Sequence, residues 1–377
     1  MIINAEILLI ITISLILLIS PFISNILKLP IAIVEIVLGA LFIPTNDNHI
    51  FDMLAEFGFL YLMLLAGMEV NLKEIIKSDT IILKKASLYL VLLYILSIGI
   101  VYILNLNKIY TVIFPLISIG LMLSIQQEIG KQNWLELALK IGIFGELLSI
   151  LVLTITSGYV EFGFSVKLLY NILMLIGFSI LIALIFIFHR TFFWWFPKIK
   201  YLVMPKSNKY FQDVRIAMSL FFIMIAFLIL LHLDVVLGAF LVGIFISTFF
   251  PHNKELEHKL TPFGFGFIIT IFFIHVGNSI DIKSISFNMI KDAIFITLSM
   301  ISIRIIASII FLKELKNKFI EVGLSLSMPL TLLIATSTIA FQHKFISNYE
   351  YNVLIFAAIL EVLISMIGIK ILEKRAN

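Results

Sequence analysis

The chain reads as an all-α polytopic membrane protein of about 13 transmembrane helices, built as two inverted six-helix repeats around a linker helix. Three observations carry this reading. Of the 377 residues, 61% are hydrophobic and 13% charged, and the mean hydropathy is +1.14; soluble domains carry about 25% charged residues. Apolar stretches long enough to cross a bilayer recur from one end to the other. The basic residues alternate between successive connections: 21 of the 27 Lys and Arg fall on one side and five on the other, with Arg304 left inside a span. That asymmetry places the rich side in the cytoplasm.

The spans are expected at roughly 5–27, 31–45, 51–70, 81–104, 109–127, 135–157, 166–188, 213–231, 234–250, 260–280, 287–311, 319–341 and 350–371. The first (AEILLIITISLILLIS…) lacks a basic leader and a small-residue cleavage site, so it is expected to be retained rather than removed as a signal peptide. Lys28 marks the first cytoplasmic turn, and Lys73, Lys77, Lys84 and Lys85 the second. Lys131 and Lys140 flank the start of the sixth span. Thr191–Gln212 mixes aromatic residues with lysines, as an interfacial cytoplasmic linker would. Six spans precede the seventh and six follow it, which gives the two sets opposite orientations. Lys313, Lys316 and Lys318, then Lys370, Lys374 and Arg375, put the C-terminus inside. No soluble tail, and so no large cytoplasmic regulatory domain, is expected after the last span.

Composition also excludes functions. With no cysteine there are no disulfides, thiolates or Cys-based metal sites. The seven histidines are scattered, so no metal cluster is expected. There is no phosphate-binding glycine loop, nucleophile elbow or HExxH, so neither an enzyme nor a cofactor is expected. The lysines sit in loops rather than in a nucleic-acid patch.

One carboxylate, Glu146, lies near the middle of the sixth span. A charge at bilayer depth costs at least ~2.5–3.5 kcal/mol, so such a residue marks a functional site by default. Arg304 lies inside the eleventh span and needs an acidic partner; Glu146 is the first candidate. Glu361 sits inside the thirteenth span (FAAILEVLIS), and two roles are open to it: partner of Arg304, or second carboxylate beside Glu146. Breaks are expected at matching places. Pro115 and Gly120 bracket LISI in the fifth span, and Met328–Pro329 fall within SMPLT in the twelfth. Ser118 and Ser124 are candidate oxygen ligands for a hard cation. Gln126 and Gln127 fit a cytoplasmic mouth. His275 and His232 are candidate pH sensors.

Several segments resemble the bacterial monovalent cation:proton antiporters of the second subfamily, sodium– and potassium–proton exchangers. Leu29–Pro44 (LPIAIVEIVLGALFIP) is similar to that family's LP-x-x-x-GE-x-x-x-G-x-x-x-GP helix, with Glu35, Gly39 and Pro44 kept. Leu54–Leu72 keeps Glu56, Gly58, Gly67 and Glu69. Ser118–Gly120, Gln127–Gly130, Leu237–Ile246 and Phe272–Asp281 match later segments. The resemblance covers nearly the whole chain. It implies crossed broken helices, a scaffold and dimerisation domain (1–72 and 213–282), a mobile core (73–158 and 283–377) and a linker (159–212). It further implies elevator transport of sodium or potassium against protons by a homodimer in the bacterial inner membrane, with Glu146 in place of the family's essential aspartate and Arg304 in place of its basic residue. Glu35 and Glu69 then fall in the scaffold. One acid, with Gly145 beside it, favours electroneutral exchange. Two departures stand out: the family's Arg-Gly-Glu of the twelfth span is replaced by Met328, Pro329 and Leu330, and Glu361 stands where a small polar residue is usual. The alternatives are an anion or other solute carrier on the same fold, or a membrane sensor that has lost transport.

Overall fold

A computed structural model describes residues 5–43, 49–69, 80–119, 121–122, 125–126, 130, 132–162, 211–231, 235–249, 253–280 and 286–376, with isolated positions between 163 and 210. The described residues form helices and connections, and the helices fall on twelve of the thirteen expected spans. The seventh span and the interfacial linker lie outside the described residues. Among the described residues, seven helices are long and apolar enough to cross a membrane singly, and the bent pair Phe319–Ser325 and Leu330–Gln342, angled at 44°, makes an eighth if taken as one span. Ile31–Phe42 and Gly238–Thr248 are shorter apolar helices. The protein is thus a polytopic α-helical membrane protein.

The chain divides into two compact units: Met1–Lys77 with Phe162–Ile280, and Ser78–Glu161 with Asp281–Asn377.

In the first unit, the Ala5–Leu27 helix turns at Lys28, whose φ is +54°, and restarts after Pro30. Proline fixes its own φ and holds the residue before it extended, so a helix starts cleanly behind it. The Ile31–Phe42 helix then crosses Ile269–Asn278 with no room for side chains between them. A Cβ on Gly39 would lie 2.2 Å from the Ile274 carbonyl oxygen, and one on Gly277 2.0 Å from that of Ile36. The His49–Glu69 and Val235–Phe249 helices meet in the same way. There a Cβ on Gly67 would lie 2.1 Å from the Phe240 oxygen, and one on Gly243 2.1 Å from that of Leu64. Small residues at the crossing are how membrane helices gain close van der Waals contact without a hydrophobic driving force.

The Asn253–Phe263 helix contains Pro262 and slips into a π-turn, Gly264–Ile268, before continuing as Ile269–Asn278. The missing proline N–H is a sufficient local cause. Thr270 Oγ1 lies 2.8 Å from the Phe265 carbonyl at this slip and 3.0 Å from Glu35 Oε1.

In the second unit, Ser286 caps the Phe287–Ser308 helix by accepting from the Met289 N–H at 3.2 Å. The unit also holds the Thr80–Ile103, Asn133–Phe162 and Asn348–Ala376 helices and both breaks. One end is tied by Glu373, which accepts from Lys318 Nζ at 2.7 Å and from Trp134 Nε1 at 3.1 Å. At the other, Asn107 Nδ2 donates to the Phe345 carbonyl at 2.9 Å, and the Tyr349 hydroxyl to Asp292 at 2.7 Å.

Candidate functional site

The first break follows the single turn Tyr110–Ile113. Residues 114–119 are not helical, and Pro115 has no N–H to give. Its neighbours free groups that need other partners. The Leu116 carbonyl accepts from Arg304 Nη2 at 2.6 Å, and the Ile117 N–H donates to Ser149 Oγ at 3.1 Å. Ser149 Oγ in turn donates a hydrogen bond to the Gly145 carbonyl at 2.7 Å.

Two glycines let this extended stretch lie against the Asn133–Phe162 helix. A Cβ on Gly142 would come within 2.6 Å of Ile119 Cγ2, and one on Gly145 within 2.5 Å of Ile117 Cδ1. The glycine beside Glu146 thus lets Ile117 pack directly on the helix. A second acid there would require the Ile117 side chain to shift.

The second break spans residues 326–329, between Phe319–Ser325 and Leu330–Gln342. Pro329 sits at φ −81° and ψ 41°, and its carbonyl accepts from the Leu333 N–H at 2.7 Å. Ser365 Oγ donates to the Ser327 carbonyl at 2.9 Å. Met328 is buried. Gly120, Ser124, Gln127 and His232 lie outside the described residues.

Glu146 is 2% exposed. Its Oε1 accepts from Ser118 Oγ at 3.0 Å, and Ser118 Oγ lies 3.3 Å from Thr331 Oγ1. A chain in which Thr331 donates to Ser118 and Ser118 donates to Glu146 satisfies each hydroxyl once. Glu146 Oε2 has no hydrogen-bond partner among the described residues. One carboxylate and two hydroxyls, one from each broken segment, thus converge at the point where both helices are interrupted.

Arg304 is fully buried, and so is Glu361. Their ion pair, Nη1 to Oε1, is 2.5 Å, and Nη1 also reaches the Met300 carbonyl at 3.1 Å. This corrects the first choice made from the sequence: the ion pair of Arg304 is with Glu361, not with Glu146. The reason is tertiary. The Phe287–Ser308 helix packs along the Asn348–Ala376 helix, which sets position 304 against position 361.

Other sequence candidates sit apart from this cluster. His275 Nε2 lies 2.9 Å from Asp52 Oδ1 in the first unit, its ring edge-on to Phe51, and Glu35 is bonded to Thr270 there. Gln126 is half-buried. Thr331, Ser149 and Ser365 were missed by sequence reasoning. Thr331 lay within SMPLT, and each serine lies about one turn after an intramembrane acid on its own helix.

Comparison with known proteins places these features in a family. The family model for the transmembrane region of sodium/hydrogen exchangers matches residues 11–374. YjbQ of Bacillus subtilis, whose name marks it as a candidate Na(+)/H(+) antiporter, is 28% identical over 93% of this chain and 60% of its own length. The chain therefore spans about 60% of that relative's length. The K(+)/H(+) antiporter subunit KhtU of the same organism is 26% identical over 78% of this chain and 73% of its own. Antiporter 3 of Methanocaldococcus jannaschii, named as a probable Na(+)/H(+) antiporter, is 26% identical over 84% and 82%.

Proposed function

The chain belongs to the transmembrane sodium/hydrogen exchanger family, and on that premise we propose that it exchanges a monovalent cation, sodium or potassium, for protons across a bacterial cell membrane. The observation that carries this is the buried Glu146 carboxylate, with Ser118 on one oxygen, Thr331 behind Ser118, and no hydrogen-bond partner among the described residues on the other oxygen. Hard cations take oxygen ligands, and a carboxylate with hydroxyls beside it is such a set. The same carboxylate takes a proton. One group that holds either ion, and not both, couples the two fluxes by competition.

Charged and empty, Glu146 opposes movement through the bilayer, because an isolated carboxylate is strongly disfavoured there. Neutralised by a cation or a proton, it crosses. We take the second unit as the moving element and the first as the scaffold and homodimer surface, in an elevator-type cycle. The basic loops favour an external N-terminus and a cytoplasmic C-terminus. One exchanging carboxylate gives one-for-one, electroneutral exchange.

The test is proton flux in proteoliposomes with an imposed pH gradient, adding sodium, potassium and lithium in turn to the wild type and to Glu146→Gln. Dissipation that depends on the cation and vanishes in Glu146→Gln is the expected result, and the ranking of ions names the substrate. Folded, inserted protein that answers no cation would overturn the reading. Competition also fixes the sign of the pH effect: where protons occupy the site, the apparent cation KM should rise by ~10-fold for each unit the pH falls. A cation KM independent of pH in initial-rate assays would argue for separate sites.

A further inference from the structure

We infer that Glu361 is a permanent counter-charge for Arg304 and takes no part in ion turnover, so that Glu146 is the single group whose charge changes and the loaded site crosses the membrane field carrying no net charge. This rests on the antiport reading above.

Arg304 and Glu361 are both fully buried and meet at 2.5 Å. The other arm of the guanidinium is committed to the Leu116 carbonyl, at 2.6 Å. An arginine does not deprotonate inside a protein, so the positive charge at 304 is present throughout the cycle. If Glu361 bound a cation or a proton in alternation with Arg304, the guanidinium would be left unpaired in an apolar interior once per turnover. Breaking one side of a buried pair is strongly unfavourable. Each acid leaves its Oε2 without a hydrogen-bond partner among the described residues, and what separates them is the group on Oε1: a neutral hydroxyl, Ser118, for Glu146, and the permanent charge of Arg304 for Glu361.

The charge count follows. The Arg304–Glu361 pair sums to zero. Glu146 with a monovalent cation sums to zero, and so does protonated Glu146. Neither half of the cycle then moves net charge. Removing the negative charge at 361 would leave the charge of Arg304 to travel with the site. Arg304 is in addition a positioning residue, since it holds the Leu116 carbonyl of the first break while Glu361 holds it.

The experiment measures cation-driven proton flux in proteoliposomes at 0 and −100 mV. The voltage is set by potassium and valinomycin when sodium or lithium is the transported ion, and by a permeant-anion gradient when potassium is. For the wild type, the ion gradients at which net flux is zero, and the rate itself, should not change with voltage. Glu361→Gln should keep the same zero-flux gradients but acquire a voltage-dependent rate. A full charge crossing the whole field shifts the inward–outward equilibrium by up to ~50-fold per 100 mV. Arg304→Gln combined with Glu361→Gln should remove that dependence again, and Glu361→Asp should behave as wild type. If Glu361→Gln does not fold, judged by size exclusion in detergent, Arg304→Gln should give a voltage dependence of opposite sign, and the wild-type zero-flux measurement stands by itself.

A wild-type zero-flux point that moves with voltage would show a second exchanging group and overturn the inference while leaving antiport intact. So would an active Glu361→Gln with no voltage dependence. No flux with any cation would remove the antiport reading and this inference with it.

Discussion

The two units of the chain solve the problem of packing helices in lipid by opposite means. The first presses backbone against backbone. Gly39 with Gly277, and Gly67 with Gly243, mark crossings where an added Cβ would meet a carbonyl oxygen at 2.0 to 2.2 Å. Its intramembrane acid, Glu35, sits on a threonine hydroxyl at a π-turn. The second unit interrupts two helices and holds the freed backbone with side chains: Arg304 on the Leu116 carbonyl, Ser149 on the Ile117 N–H, Ser365 on the Ser327 carbonyl. A break held by hydroxyls and a guanidinium keeps polar groups at membrane depth, where an ion can use them. On the proposed reading, the close glycine crossings suit the first unit to a scaffold and the interrupted helices suit the second to ion chemistry.

Substitutions in each unit should therefore fail in different ways. The largest effect is expected at Glu146. Glu146→Gln keeps the shape and removes the charge, so cation-dependent flux should fall by more than ~100-fold with an unchanged elution profile in detergent; residual flux near wild type would deny the second unit its role. Next comes the first unit. Gly277→Val places a side chain on the Ile36 carbonyl and should lower stability by roughly 3 kcal/mol or more, read as a drop in Tm of the detergent-solubilised protein. An unchanged Tm would mean that this crossing is not rigid.

A smaller change is expected for Thr331→Val, which removes one hydroxyl from the Ser118 relay. The apparent cation KM should rise by ~5-fold, about the value of one hydrogen bond, with Tm nearly unchanged, whereas Thr331→Ser should stay close to wild type. If both variants match the wild type, Thr331 is outside the site. The smallest effect is at Gly99, whose added Cβ meets nothing within 4 Å. Gly99→Ala should be neutral or stabilising by ~0.5–1 kcal/mol, and a clear loss in the same melting assay would mean that this helix face is in contact with something else.

Much of this was legible in the order of residues. Apolar runs, loop lysines and the prolines at 115 and 329 located the helices and both breaks, because span length and the missing proline donor are local properties. Glu146 stood out because a lone carboxylate in such a run is rare. The Gly39, Gly58 and Gly67 pattern was visible as a resemblance, but not what each glycine faces. The pairing of Arg304 was misread. Two acids, Glu146 and Glu361, were available on other helices, and nothing in sequence spacing chooses between residues 57 and 158 positions away.

The sequence by itself determined that the chain crosses a membrane many times, where two of its helices are interrupted, and that Glu146, Glu361 and Arg304, like Glu35, must be accommodated at membrane depth. The tertiary structure decided which of these meet. It gave Glu361 to Arg304, gave Ser118 to Glu146 and Thr331 to Ser118, and made Gly145 a place where an unwound segment touches a helix. The physical reason is that hydropathy and helix breaking act over a few residues along the chain. The partner of a buried charge is chosen instead by which helix faces lie within hydrogen-bond reach, and that is fixed only when distant segments pack.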